Sequence, residues 1–496
     1  MLLSEDEARS RLQRLYRRLD SRRPEIDTFE AYADGEQPLL YTTPQWAEFH
    51  KDRYSGFSDN WCAPVANAPV ERLRATGIRL ADDVDGGMTK GLWNAFLRNG
   101  GDTQLPQAFY SAVVARRSFA RVWGDDNDDP LVDFLHPSQA YVHTDPTGRR
   151  RLAAVHCWVD EDDKWEHGHL YTGGDDAALY KFKRLSSQRI VEQRTPAGVI
   201  VVESALKQTG DEGGWQAYQD DDDETWPVLN PMGKVPIVEL ANRPRLGRQP
   251  VSDISGTKAM QDAINLLWAY LFAAADHASL PARVIMGQAP PKIPVLDRDG
   301  QKVGEREVDI KELAAKRMLW LTGENAKIGS WQAAQLDVFT GVIEVAIAHV
   351  ASQTRTPSHY LISKSDNVPA SGYELAEAGL VSRVEEAQTH FTSDLRDLFE
   401  LIALADPATE GLAPQLRTAR VLWRDAAIRN EAQKTDALQK KKAMGYPLRW
   451  LLEQDGLDPA EVERVMAMVA DEQSDPTLER ALRDLNITGQ GPTAGV

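Results

Sequence analysis

Ala263-Ile-Asn-Leu-Leu-Trp-Ala-Tyr-Leu-Phe-Ala-Ala-Ala275 is the most apolar run of the chain. It sits inside a longer pattern, 253–277, which Ser252 and Asp253 are placed to cap and Pro281 to stop. That pattern predicts one helix of about 24 residues, roughly 36 Å long. Ile264, Leu266, Leu267, Trp268, Tyr270, Leu271 and Phe272 fall nearly all round it, and a helix apolar all round must be covered on every side. Two coverings are open: the core of one large domain, or neighbouring copies of the same chain in a ring. The run falls short of the roughly 18–20 residues that cross a bilayer, and Asn265 interrupts it, so no membrane span is expected.

Downstream, 281–332 reads as a separate small unit with short strands at Val284–Met286 and Leu319–Leu321. A second apolar helix, 337–353, ends before Pro357, and a loop, 356–371, leads to a long helix over 372–405. There Leu375, Leu380, Val384, Ala387, Phe391, Leu395, Leu398 and Ile402 keep a three-to-four spacing. A strand at 418–423 precedes helical stretches at 426–444, 448–455 and 459–470, the last opened by an Asp458/Glu461 capping box. A small, polar tail ends the sequence.

Upstream, Ser4 and Glu7 form a capping box before a helix whose face is Leu12, Leu15, Tyr16 and Leu19. Pro24 is read as its stop, followed by a turn-rich loop holding Tyr32, Gly35, Pro38 and 42–44. A short strand is expected at 76–80 and helical pattern at 92–97 and 107–117. From 118 to about 202, short apolar runs alternate with Gly, Asp and Pro, which reads as a β meander; 234–240 is a further strand. Helix outweighs strand, so the fold class is α+β, mainly helical.

The chain has 496 residues, with 57 Lys+Arg against 75 Asp+Glu and a formal net charge of −18. That excludes wrapping DNA with a basic face, although not touching DNA without gripping it. The acidic runs at 125–129, 160–163 and 220–224 lack the ordered ligands of a calcium loop and read as solvated turns. Two cysteines, Cys62 and Cys157, make neither a disulfide framework nor a metal set, which favours a reducing compartment. The first residues lack the basic and apolar regions of a signal peptide.

Reaction chemistry has no pattern to rest on. Gly233-Lys234-Val235 lacks the hydroxyl of a phosphate loop, and no G-x-S-x-G or H-E-x-x-H occurs. His156, His167 and His169 lack the remaining ligands of a metal site and read as polar strand faces. No catalytic residue, metal or cofactor is expected. The alternatives are a metal-dependent nuclease using the acidic clusters, or a minor capsid or scaffold protein without a channel.

The order of elements resembles the portal proteins, or head-to-tail connectors, of tailed double-stranded DNA bacteriophages, especially siphophages of actinobacteria. The resemblance rests on Tyr32-Ala-Asp-Gly-Glu-Gln-Pro-Leu, Phe57-Ser-Asp-Asn-Trp-Cys-Ala-Pro-Val and Gly233-Lys-Val-Pro-Ile-Val-Glu-Leu-Ala-Asn-Arg-Pro. Thr356-Pro-Ser-His-Tyr-Leu, Ser371-Gly-Tyr-Glu-Leu and Leu422-Trp-Arg-Asp-Ala add to it, and together they span roughly residues 5–475.

The resemblance implies a portal fold assembling as a ring of about twelve copies around a DNA channel. Residues 1–250 would be the wing, 251–280 and 333–355 the two stem helices, and 281–332 the clip between them. Residues 356–371 would be the tunnel loop, 372–425 the long wing helix and returning strand, 426–475 the crown, and 476–496 a flexible tail. Trp268, Leu271, Phe272, Phe339, Ile343 and Ile347 would pack the stem. Lys364, Arg355 and Ser365 would lie near DNA, where sparse rings of charge centre a sliding polyanion without holding it. Tyr360 and Leu361 would pack against a neighbouring loop.

Arg283, Lys292 and Arg298 would meet the terminase large subunit or the head–tail adaptor. Major capsid and scaffold proteins are further implied partners, with no membrane. The expected place is one vertex of the virion, after assembly in the host cytoplasm.

Overall fold

A computed structural model describes residues 2–38, 57–80, 87–124, 129–148, 150–160, 162, 164–185, 188–194, 200–206, 214–220, 223, 225–279, 283–286, 292–296, 301–307, 318–321, 327–330, 336–361, 370–427, 431–457 and 459–474. The chain forms two units. The first gathers 1–34, 62–255 and 354–496; the second gathers 35–61 and 256–353. Helix predominates over strand, as an α+β chain requires.

The first unit begins with α1 (Glu5–Asp20), whose capping box is complete: Glu7 N–H donates to Ser4 Oγ, and Ser4 N–H donates to the Glu7 carboxylate. Its apolar face, Leu12, Leu15, Tyr16 and Leu19, is buried against one side of an antiparallel sheet. That sheet runs in the order β10 (Gln216–Ala217), β7 (Ala178–Leu185), β6 (Trp165–Thr172), β5 (Arg151–Val159), β4 (Ala140–Thr144), with β11 (Val228–Leu229) also on β7. Alternation sends Val155, Cys157 and Leu170 toward α1 and Ala154 and Tyr171 to the other side. The second side packs with Phe119, Leu135 and Ile237 of the three-stranded sheet β12 (Ile237–Ala241), β2 (Arg117–Gly124), β3 (Pro130–Leu135). The expected meander is therefore a sheet closed on both faces. Beyond it, β8 (Gln188–Arg194) and β9 (Ile200–Leu206) form a hairpin.

One expectation fails here. Pro24 does not stop the N-terminal helical run; it occupies the first turn of a second helix, α2 (Arg23–Asp34), which covers the expected loop through Tyr32. Proline lacks only an N–H that the first turn leaves unbonded anyway, so it starts a helix as readily as it ends one. Helices α3 (Cys62–Val70, with Cys62 buried), α4 (Gly87–Arg98) and α5 (Gly101–Ala115) follow. The strand β1 (Ala75–Arg79) pairs antiparallel with β18 (Arg420–Trp423), bringing residues 341 apart in sequence, such as Arg79 and Arg420, side by side. The long helix α8 (Ala370–Ala405) buries Leu380, Val384, Phe391, Leu395, Leu398 and Ile402 completely. Phe391 lies 4.6 Å from Phe109 of α5, centroid to centroid. Three shorter helices, α9 (Glu431–Ala443), α10 (Leu448–Asp455) and α11 (Pro459–Ser474), end the unit, with Arg79 paired to Glu453.

The second unit holds α6 (Lys258–Ser279) and α7 (Asp337–Thr354), the latter running one residue past the unit's boundary. Between them lie two small sheets. One has β13 (Arg283–Met286) parallel to β16 (Met318–Leu321) and antiparallel to β17 (Lys327–Ser330); the other is the hairpin of β14 (Lys292–Leu296) and β15 (Lys302–Glu307). The helix expected from 253 starts instead at Lys258, because 252–257 is a chain of turns.

Candidate functional site: the apolar helices and their mounting

Helix α6 is apolar, yet three polar residues in its first half are buried: Gln261, Asp262 and Asn265. Gln261 and Asn265 are buried because the segment 57–61 lies along the helix and needs partners. Trp61 N–H donates to Gln261 Oε1 (2.6 Å), and Asp59 N–H donates to Asn265 Oδ1 (3.0 Å). The Asp59 carboxylate accepts from the indoles of Trp61 (3.0 Å) and Trp268 (2.7 Å). Phe57 meets the edge of Phe272 at 5.1 Å, and Trp268 stacks on Phe272 at 5.5 Å. The Phe-Ser-Asp-Asn-Trp motif is thus a strap: aromatic area supplies adhesion and the amide bonds fix register. The strap does not cover everything. Leu271 is buried, but Leu266, Leu267, Trp268 and Phe272 are half-buried and Tyr270 is exposed.

Helix α7 divides more sharply. Ile343, Ala346, Ile347 and Val350 are buried and Phe339 is half-buried. On the other side Val338, Val342 and Val345, one face at four- and three-residue steps, are 59%, 48% and 56% exposed. Valines repeated on one exposed face lie in the pattern of a stripe that another chain covers.

Within the first unit, Asp253 and Thr354, which lie just before and just after the 256–353 stretch of the second, are held by one side chain of α8. Arg383 Nε donates to Asp253 Oδ2 (2.9 Å), one terminal nitrogen to the Thr354 carbonyl (3.0 Å) and the other to the Val65 carbonyl (3.1 Å). The second Asp253 oxygen accepts from Asn242 Nδ2 (2.9 Å). Asp253, expected to cap the helix, instead completes this buried pair. Next in the chain, Arg355 adopts φ +54°, and Gly379 of α8 lies against it: a Cβ there would stand 3.4 Å from Arg355 Cβ. The Arg355 guanidinium is more than half exposed and 3.9 Å from Glu386.

Of the region read as the tunnel loop, 356–361 is described, and it contains a single helical turn, Ser358–Leu361. The Tyr360 hydroxyl accepts from Arg72 (2.6 Å), which also pairs with Glu377 (3.2 Å) and donates to the Ala426 carbonyl (3.1 Å). Leu361 is buried. Residues expected to meet a neighbouring loop are thus engaged inside their own chain. Lys364, Ser365 and Arg298 lie outside the described residues. Arg283 and Lys292 are placed by backbone pairing alone, Arg283 opposite Met318 and Ser330 and Lys292 opposite Glu307.

His167 and His169 share a strand face, as their spacing implied, and His156 joins them from the neighbouring strand. His156 pairs across strands with His169, Trp158 stacks on His156 and His167, and the Tyr218 hydroxyl bonds both His167 (3.0 Å) and His169 (2.9 Å). Burial, then the charge of Arg121, pushes His156 down to about 3; burial above all also holds His169 well below its ordinary value. His156 and His169 are neutral imidazoles in an aromatic cluster. Among the described residues no group of three or more His, Cys, Asp or Glu could hold a metal ion, and no helix is long and apolar enough to cross a membrane. Asp125 to Asp128 lie outside the described residues. Lys181 pins the last acidic run by pairing with Asp220 and Asp223, both at 2.6 Å.

Among the described residues, α7 thus carries an exposed apolar face that no residue of the chain covers. The family of phage portal proteins of the SPP1 Gp6-like type matches residues 12–467. The chain is 26% identical over 393 residues to the portal protein of Mycobacterium phage D29, covering 75% of this chain and 70% of that one. It is 26% identical over 390 residues to the portal protein of Mycobacterium phage L5, covering 75% and 69%. The chain belongs to the phage portal protein family, and its function is that of a phage portal.

The sequence missed the strap and the junction. Gln261 and Asn265, four apart in an apolar run, were the available signal for the first; Arg383, a cation within the stripe of α8, was the signal for the second.

Proposed function

We propose that the chain is one protomer of a ring of about twelve copies at a single capsid vertex. Through its channel the terminase large subunit packages double-stranded DNA, which later leaves by the same route, and the ring joins the head to its adaptor and tail. The role is structural, with no catalytic step. Membership of the portal family over 12–467 carries this reading, and the exposed valine face of α7 supports it. Residues 1–250 serve as wing, 251–280 and 333–355 as stem, 281–332 as clip, 356–371 as tunnel loop, 372–425 as the long wing helix with its strand, and 426–475 as crown. Lys364, Arg355 and Ser365 face DNA, and Arg283, Lys292 and Arg298 face the motor or adaptor. Capsid and scaffold proteins surround the ring. An acidic wall with few cations suits the task, because each phosphate contact adds salt-dependent affinity and so drag on moving DNA.

Light scattering and negative-stain microscopy of the purified chain test this. A closed ring of several hundred kilodaltons or more is expected; a monomer at every concentration, with or without other virion components, would overturn it. In packaging assays Lys364→Glu should impair DNA entry or retention while rings still form.

A further inference from the structure

The first unit carries a belt of cations that channel formation leaves unused. It starts on α1, where Arg11, Arg14 and Arg18 follow one another at three- and four-residue steps along one face. Arg18 reaches to 3.3 Å from His143 Nδ1 on β4, and Arg11 donates to the Leu152 carbonyl on β5 (3.1 Å). Burial, then the charges of Arg18, Arg11 and Arg14, holds His143 below its ordinary value, which marks where the positive field lies.

Leu152 is also in the wall of a recess of about 910 Å³ that holds Arg150, Arg151, Lys234, Arg396 and Arg417. Its carboxylates are Asp397 and Glu400, which leaves the cations in excess by three. Arg151 pairs with Asp397 (3.1 Å), while Glu400 accepts from Lys234 (2.5 Å) and Arg417 (2.8 Å). Arg14, Arg18 and Arg150 are exposed, and no carboxylate among the described residues pairs with them.

We propose that this belt is the docking surface for an acidic segment of a partner protein, a stretch rich in Asp and Glu that lays its side chains into the recess. Four of the five recess cations are arginines, whose planar forks take carboxylates two-pronged. Asp397 and Glu400 hold three of the cations in fixed positions, so the surface is organised before the partner arrives. A duplex is a stiff rod that meets cations from outside, and the recess carboxylates would face its phosphates. Carboxylates on flexible stems pass beside Asp397 and Glu400 and reach the arginines. In a chain of net charge −18, a local excess of cations also gives an acidic partner one place to land.

Fluorescence anisotropy of a fluorescein-labelled decaglutamate peptide, titrated with the full chain at low salt, tests the proposal. The double charge reversal Arg14→Glu/Arg150→Glu should weaken binding about tenfold or more, with the thermal midpoint unchanged because both side chains are exposed. The neutral pair Arg14→Gln/Arg150→Gln should lose less. Arg248→Glu, an exposed reversal outside the belt, should leave binding nearly as it was. Equal peptide affinity in the native chain and the double reversal overturns the proposal. So does a short DNA duplex that displaces the peptide at lower concentration with the same dependence on Arg14 and Arg150, since the surface then reads nucleic acid. Peptide binding to dispersed chains that vanishes in assembled rings also overturns it, for a neighbouring copy is then the occupant.

Discussion

Helices α7 and α8 carry apolar residues at the same three-to-four spacing and meet opposite fates. In α8 the stripe from Leu380 to Ile402 is wholly buried by residues of its own unit, with Phe391 against Phe109 and Phe399 against Trp93. In α7 one face is buried and the other turns Val338, Val342 and Val345 outward. Spacing says that a face must be covered; it does not say by what. The apolar stripe is thus covered within the chain in α8 and left exposed on one face of α7.

The sharpest way to break the comparison is Phe391→Ala. Removing a buried ring that packs on Phe109 should cost about 3–5 kcal/mol in denaturant unfolding of the purified chain. A loss under about 1 kcal/mol would mean that α8 is no more internal than α7. Next comes Arg383→Met, which leaves the buried Asp253 carboxylate with only the half-exposed Arg243 guanidinium, 3.6 Å away, and should cost about 3 kcal/mol. Adding Asp253→Asn should recover part of that loss, and a double-mutant cycle measures the coupling. The smallest effect on folding belongs to Val342→Asp/Val345→Asp. Thermal unfolding of the dispersed chain should move by no more than about 0.5 kcal/mol, because the positions are exposed. Light scattering should nevertheless show the ring reduced to smaller species; rings of unchanged mass would show that the valine face is not an interface.

Local signals in the sequence carried over well. The Ser4/Glu7 capping box, the face of α1 and the stripe of α8 from Leu380 onward each depend on residues within a turn or two, and each is present, whereas Leu375, read as the first residue of that stripe, is 78% exposed. Pro24 failed because proline has two helical meanings and only the neighbouring chain path chooses between them. The strap and the Asp253–Arg383 junction failed for another reason. Asp59 and Trp268 are 209 residues apart and Asp253 and Arg383 are 130 apart, so no periodicity links them. A buried charge declares itself only through its partner, and the partner is chosen by tertiary folding. The Lys181 contact that holds Asp220 and Asp223 had no local signal either.

The two thiols close the matter in a practical way. Cys62 is wholly buried, and Cys157 lies in the core under α1, where burial pushes its thiol well above the ordinary value. Neither presents the exposed thiolate that maleimides, spin labels or oxidants attack. The natural chain is therefore silent toward cysteine chemistry without any residue being removed. A cysteine placed at Val342 would be the one reactive sulfur on each copy, able to report by dye quenching or cross-linking when the valine face becomes covered.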